Sequence, residues 1–160
     1  MENYTKYTPL ILIVLFITGI TFLVQYPFNA FSWNIWMRHF MAGFFIVFSF
    51  FKILDLKGFV NTYVLYDFIT KKYKAWGYIY PFIELSLGIA YLIENVSNII
   101  NFITIILLSI SITGVIKSVI SKNKIKCACL GNIFNLPMSI VTIIENLIMI
   151  FMAICMLVMN

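Results

Sequence analysis

Charge is what this sequence has least of. Only 11% of its 160 residues are Asp, Glu, Lys or Arg, and 62% are hydrophobic, with a mean hydropathy of +1.01; a soluble domain is about a quarter charged. So few charges cannot coat the surface of a water-soluble domain, and so much apolar surface is incompatible with a disordered chain. Acidic residues are scarcer still, 6 against 11 basic ones. The basic residues gather in loops between apolar stretches, as membrane orientation requires, and this argues against a nucleic-acid partner. The 3 cysteines cannot close a disulfide framework. The single histidine, His39, specifies little beyond an interfacial position beside Arg38 and Trp36. No internal repeat, low-complexity tract or linker divides the chain, and its length fits one domain over residues 1–160. These absences leave an integral membrane protein whose first partner is the lipid bilayer.

Five apolar stretches approach the roughly 20 helical residues that cross a hydrocarbon core. They run from Pro9 to Gln25, Met37 to Leu54, Trp76 to Ile93, Ile99 to Ile120 and Met138 to Val158. The first follows an acidic Glu2, has Lys6 as its only preceding cation and lacks a small-residue cleavage site before Pro27, so it is expected to be retained. The segment 55–75 interleaves Phe59, Tyr63, Tyr66 and Phe68 with Lys57, Asn61, Asp67, Lys71, Lys72 and Lys74, which predicts an amphipathic helix lying in the interface. With the N-terminus inside, every lysine falls on the cytoplasmic side and Arg38 alone outside. The expected arrangement is therefore all-α, a polytopic transmembrane bundle of five spans, N-in and C-out, in a bacterial-type inner membrane.

The loop 122–137 holds the most specific local feature, Lys124-Ile125-Lys126-Cys127-Ala128-Cys129-Leu130-Gly131, with Pro137 entering the last span. In extended backbone residues i and i+2 face the same way, so Cys127 and Cys129 can converge on one soft metal ion or one incoming disulfide. The neighbouring lysines favour thiolate. The plainer alternative is two small apolar residues packed in a re-entrant turn. Cys155, about 27 Å along the last helix from Pro137, is out of reach of both and is expected to serve as a small hydrophobe.

Two carboxylates interrupt apolar spans, Glu84 and Glu145. Each lies about eight residues, ~12 Å, from the inner end of its helix, so the two are expected at matched depth and able to face one another. Intramembrane carboxyls are costly unless neutral, paired or hydrated. A hydrogen bond to Asn146, Ser86 or Thr142 is the structural alternative. Lys52 and Asp55, three residues apart, are expected to pair. Along the last helix Met138, Thr142, Glu145, Met149, Met152, Met156 and Met159 form one stripe at alternating steps of four and three. Such a stripe is either a packing seam or a run of soft ligands for an ion such as Cu(I). Gly77, Gly88 and Gly114 are expected at close helix contacts.

Taken together, Phe-Lys-Ile-Leu-Asp-Leu-Lys-Gly-Phe at 51–59, Tyr66-Asp67, the run from Trp76 through Pro81 and Glu84 to Gly88, and Cys127-Ala128-Cys129-Leu130-Gly131 resemble the MauE/DoxX-like redox-associated membrane proteins. The resemblance covers about residues 37–159 and implies a four-helix core, with residues 9–25 as an additional N-terminal helix. It carries the family pattern onto Lys52, Asp55, Pro81, Glu84, Gly88, Cys127, Cys129 and Gly131. It further implies a link to thiol redox or maturation of partner proteins, as in the family's association with methylamine dehydrogenase production. No thioredoxin-like or heavy-metal-binding domain is fused to this chain, so a separate soluble partner of that kind is expected.

Three functions compete on this basis. The first is exchange of electrons or disulfides through Cys127 and Cys129, with Glu84 and Glu145 managing protons, which would make the chain a thiol-disulfide oxidoreductase or an accessory to one. Another is transfer of a soft metal ion of copper or mercury type through Cys127, Cys129, Glu84, Glu145, Met149 and Met152. The third is a noncatalytic assembly subunit.

Overall fold

The computed structural model describes residues 4–26, 31–65, 67–93, 98–120 and 140–159. Among them the regular structure is helical throughout: α1 (Tyr4–Leu23), α2 (Trp33–Leu54), α3 (Leu56–Tyr63), α4 (Phe68–Lys72), α5 (Lys74–Leu92), α6 (Asn98–Ile120) and α7 (Ile140–Met159). Helices satisfy backbone donors and acceptors within one segment, which a chain surrounded by lipid requires. Trp33–Leu54 and Asn98–Lys117 are long and apolar enough to cross a membrane, and the apolar runs Thr8–Leu23 and Ile143–Met159 are shorter. The outer faces confirm the class. Leu15, Phe16, Leu23, Ile106, Phe151 and Val158 are each more than half exposed, an apolar exterior that water would not tolerate and lipid does.

The expected third span is helical as α5, but Pro81, Glu84, Ser86 and four tyrosine or tryptophan side chains lower its hydropathy below that of α2 and α6. Packing holds it in place. Its main neighbour is α2, while α6 pairs chiefly with α7. The inward stripe of α2 buries Met37, Phe40, Met41, Phe44, Phe45, Phe48, Ser49 and Lys52 at alternating steps of three and one. At Gly88 the backbones of α2 and α5 come so close that an added Cβ would lie 2.8 Å from Ile46 Cγ1 and 3.0 Å from the Ile46 nitrogen.

The first helix packs on α2. Its Ile17 side chain sits where a Cβ on Gly43 would meet it at 3.0 Å. Beyond α1 the Gln25 side chain ties the turn shut, accepting from the Ser32 N–H at 2.9 Å and donating to the Ser32 carbonyl at 3.3 Å. Phe22 adds ring contacts to Phe31 and Trp36.

The segment 55–75 differs from the single amphipathic helix expected. It breaks into α3 and α4 because each begins on its own aspartate cap. Asp55 accepts from the Gly58 N–H at 3.0 Å, and one Asp67 oxygen accepts from both the N–H and the hydroxyl of Thr70 at 2.7 Å. Both short helices lie on α5 and bury Phe59, Val60, Tyr63, Asp67 and Thr70, while Lys57, Asn61, Lys71 and Lys72 stay outside. Gly77 is the contact point for α4, since a Cβ there would meet Thr70 Cγ2 at 2.8 Å.

Candidate functional site

The site begins with one lysine. On α2 the apolar stripe ends at Lys52, whose position four residues after Phe48 keeps it on the buried face rather than turning it to solvent. Its side chain runs inward to α5, where the Nζ donates to Glu84 Oε2 at 2.5 Å. Both residues are buried, at 7% and 4% exposure. A charge so placed needs an opposite partner, and here each supplies the other's. The expected pair of Lys52 with Asp55 does not form. Asp55 instead serves as the α3 cap, and α3 with Phe59 and α5 with Tyr80 bring aromatic walls to the lysine. The Lys52 Nζ lies 5.1 Å from the Tyr80 ring centre and 5.7 Å from that of Phe59, within cation–π range.

The ion pair opens on a cavity of about 40 Å³ that gathers Tyr63 from α3, Tyr80 from α5, Ser111 from α6, and Glu145 and Asn146 from α7. Glu84 and Glu145, on separate helices and 61 positions apart in sequence, thus line one pocket. The depth argument from the helix ends anticipated this meeting; it missed the lysine. A signal was available, since Lys52 and Glu84 are opposite charges set inside otherwise apolar helices, and such charges seek one another. Ser86, one of the expected hydrogen-bond alternatives for the two glutamates, instead donates to the Phe82 carbonyl at 2.8 Å.

The remaining site candidates fall elsewhere. Met149, Met152 and Met156 are buried in the hydrophobic core, and none lines the cavity. Cys155 is half-buried against the same core. His39 uses Nδ1 on the Ile35 carbonyl at 2.9 Å, an intrahelical bond. Among the described residues no group of three or more His, Cys, Asp or Glu side chains is placed to hold a metal ion. Cys127, Cys129 and Gly131 lie outside the described residues, in the stretch 121–139 that joins α6 to α7.

Nearer the other end of α5 a second buried polar set links it to α6. The Tyr91 hydroxyl donates to Asn101 Oδ1 at 2.9 Å and lies 3.0 Å from the Thr104 hydroxyl, and all three residues are buried. The set is closed on itself and holds two helices together.

Comparison with known proteins gives one family. The description methylamine utilisation protein MauE matches over residues 7–159, an extent that includes α1 as well as the part set apart as a core. No curated protein and no solved structure matches the chain.

Proposed function

This chain belongs to the MauE family, and from that premise we propose that it is an inner-membrane protein of thiol redox chemistry. Cys127 and Cys129 exchange electrons or disulfides with a soluble thioredoxin-like partner and so support maturation of that partner's client. The Lys52–Glu84 pair and Glu145 take up and return the protons that such exchange moves. In the reducing direction one loop thiolate attacks the partner disulfide, a mixed disulfide forms and a partner thiolate leaves. The second loop thiolate then attacks the first sulfur, two electrons pass to the partner and the loop keeps the disulfide.

The observation that carries this proposal is the meeting of Lys52, Glu84 and Glu145 at one cavity. Glu145 stands five residues into α7 and Val115, another lining residue, five from the end of α6. At ~1.5 Å per residue each is about 8 Å from the helix ends that the Cys127–Cys129 loop connects. A proton site and a thiol loop so close in the chain are suited to act together.

The test is a mutant cycle. Glu84→Gln and Glu145→Gln, singly and combined, are expected to be non-additive in activity or thermal stability by about 0.5–3 kcal/mol, whereas independent sites add within ~0.5 kcal/mol. Adding Cys127→Ser to the cycle asks whether thiol and carboxylates are one unit. Strict additivity throughout would leave two packing residues and an unrelated loop.

A further inference from the structure

The end of the bundle formed by α3, α4, the start of α5 and the end of α6 gathers cations that the chain does not neutralise. Lys57, Lys71, Lys72, Lys74 and Lys117 are all exposed there, and among the described residues none of them forms an ion pair. The acidic residues are engaged elsewhere. Asp55 and Asp67 cap α3 and α4, Glu84 holds Lys52, and Glu145 lines the pocket. Glu94 follows the opposite end of α5, and Glu2 has Lys6 close by in sequence. The stretch 121–139 adds Lys122, Lys124 and Lys126 and contains no acidic residue, so it brings no counter-charge. The positive field at this end is answered only from outside the chain.

Three of these lysines group about one ring. Lys117 of α6 places its Nζ 4.5 Å from the Phe68 ring centre, and Lys71 and Lys72 stand three and four positions after Phe68, beside it on the short α4. The Lys72 Nζ lies 5.7 Å from the ring centre of the next residue, Tyr73. Phe68 and Tyr73 are themselves half exposed or more, as are Leu65 before them and Ile120 after Lys117. This mixture separates the candidate partners. The acidic face of a soluble protein would match the ammonium groups but leave rings and aliphatic chains against polar surface or water. At the rim of a bilayer both are satisfied, because the apolar groups enter the acyl region while the lysine stems carry their charge to the headgroups. Basic residues from different helices at one end of a bundle suit an anionic headgroup.

We propose that Lys71, Lys72 and Lys117, grouped about Phe68, form a site for the phosphate of an anionic phospholipid in the leaflet on this side of the membrane. Lysine ammonium groups only donate, and the phosphate oxygens accept in charge-assisted hydrogen bonds. Phe68 and Ile120 meet the acyl chains below the headgroup. The site stands on this surface alone and is independent of the loop thiols and of the carboxyl groups in the pocket.

Binding of phosphatidylglycerol and phosphatidylcholine to the full-length protein in neutral detergent, counted by native mass spectrometry as each lipid is added, tests it. Saturable retention of phosphatidylglycerol over phosphatidylcholine is expected, with a rise in unfolding temperature for the anionic lipid as it populates the folded state. Lys72→Gln/Lys117→Gln should weaken phosphatidylglycerol binding about fivefold for each charge removed and leave phosphatidylcholine as it was. Lys6→Gln/Lys57→Gln takes the same charge from other elements and should change binding by about twofold at most, since separated surface charges are screened. All four lysines lie outside the buried core, and an unfolding temperature in neutral detergent equal to the parent's shows that the variants fold. Equal losses in the two double variants would reduce the effect to general attraction by a basic surface and overturn the site. Displacement of the lipid by inorganic phosphate or by polyglutamate at constant ionic strength would also overturn it, making a free phosphate or an acidic protein the occupant.

Discussion

Burying Lys52 against Glu84 removes a unit charge of each sign from favourable surroundings, and their attraction offsets that cost only while both are present. Truncating one partner therefore does more harm than replacing both. Lys52→Met is expected to destabilise the protein by about 3–5 kcal/mol because Glu84 is left alone, while Lys52→Met with Glu84→Leu recovers most of the loss. Thermal unfolding in one detergent, comparing both singles with the double, measures this; a double mutant as damaged as the sum of its singles would show that the two residues do not depend on each other. At this scale the sequence was legible in part. Counting from the expected helix ends placed Glu84 and Glu145 at equal depth, whereas Glu84 stands ten residues into α5 and Glu145 five into α7, and the two nevertheless line one pocket. Lys52 was misjudged because Asp55 stands three residues away, and local spacing is silent about a partner on another helix. Asp55 had a stronger local use, capping an orphan N–H at the start of α3.

At the scale of elements, small residues decide which helices approach. Gly88 and Gly77 sit where α2 and α4 meet α5, and an added methyl would enter the Ile46 backbone at the first and Thr70 at the second. Gly19, in α1, has nothing within 4 Å of the place a Cβ would take. Gly88→Ala is therefore expected to cost about 1–3 kcal/mol through overpacking. Gly19→Ala should be neutral or stabilising by up to ~1 kcal/mol, because alanine is the better helix former. Unfolding curves of the two variants side by side check the contrast, and equal effects would mean that the α2–α5 contact is not tight. Helix existence was readable from apolar run length, and glycine spacing suggested the contacts. The break between α3 and α4 was less visible, since the lysines and aromatics of 55–75 fit one amphipathic helix as well as two. What divides them is the second cap at Asp67, a buried carboxylate whose role appears only when Thr70 is seen to turn back on it.

For the whole molecule, the apolar exterior fixes membrane residence and the distribution of lysine predicts its orientation. Exposed Lys57, Lys71, Lys72 and Lys117 belong to α3, α4 and the end of α6, and Lys117 reaches across to the Phe68 ring at 4.5 Å, so these elements share one end of the bundle. The sequence adds Lys122, Lys124 and Lys126 to the stretch that continues from α6. Cationic ends stay cytoplasmic, and Arg38 lies toward the opposite end of α2 from Lys52, about 21 Å along the helix at ~1.5 Å per residue. Cys127 and Cys129 are accordingly expected to react with a membrane-impermeant thiol reagent only when it reaches the cytoplasmic face, as in inverted vesicles, and not when it is added outside intact cells. They should also react faster than Cys155, which is half-buried against the apolar core on α7, whereas lysines stand beside the loop cysteines in the sequence. Labelling with and without prior reduction adds the redox state of the pair to its sidedness. Reaction from outside alone would invert the bundle and bring the thiols to the oxidising side of the membrane, and equal rates for all three cysteines would remove the basis for treating the loop as the reactive element.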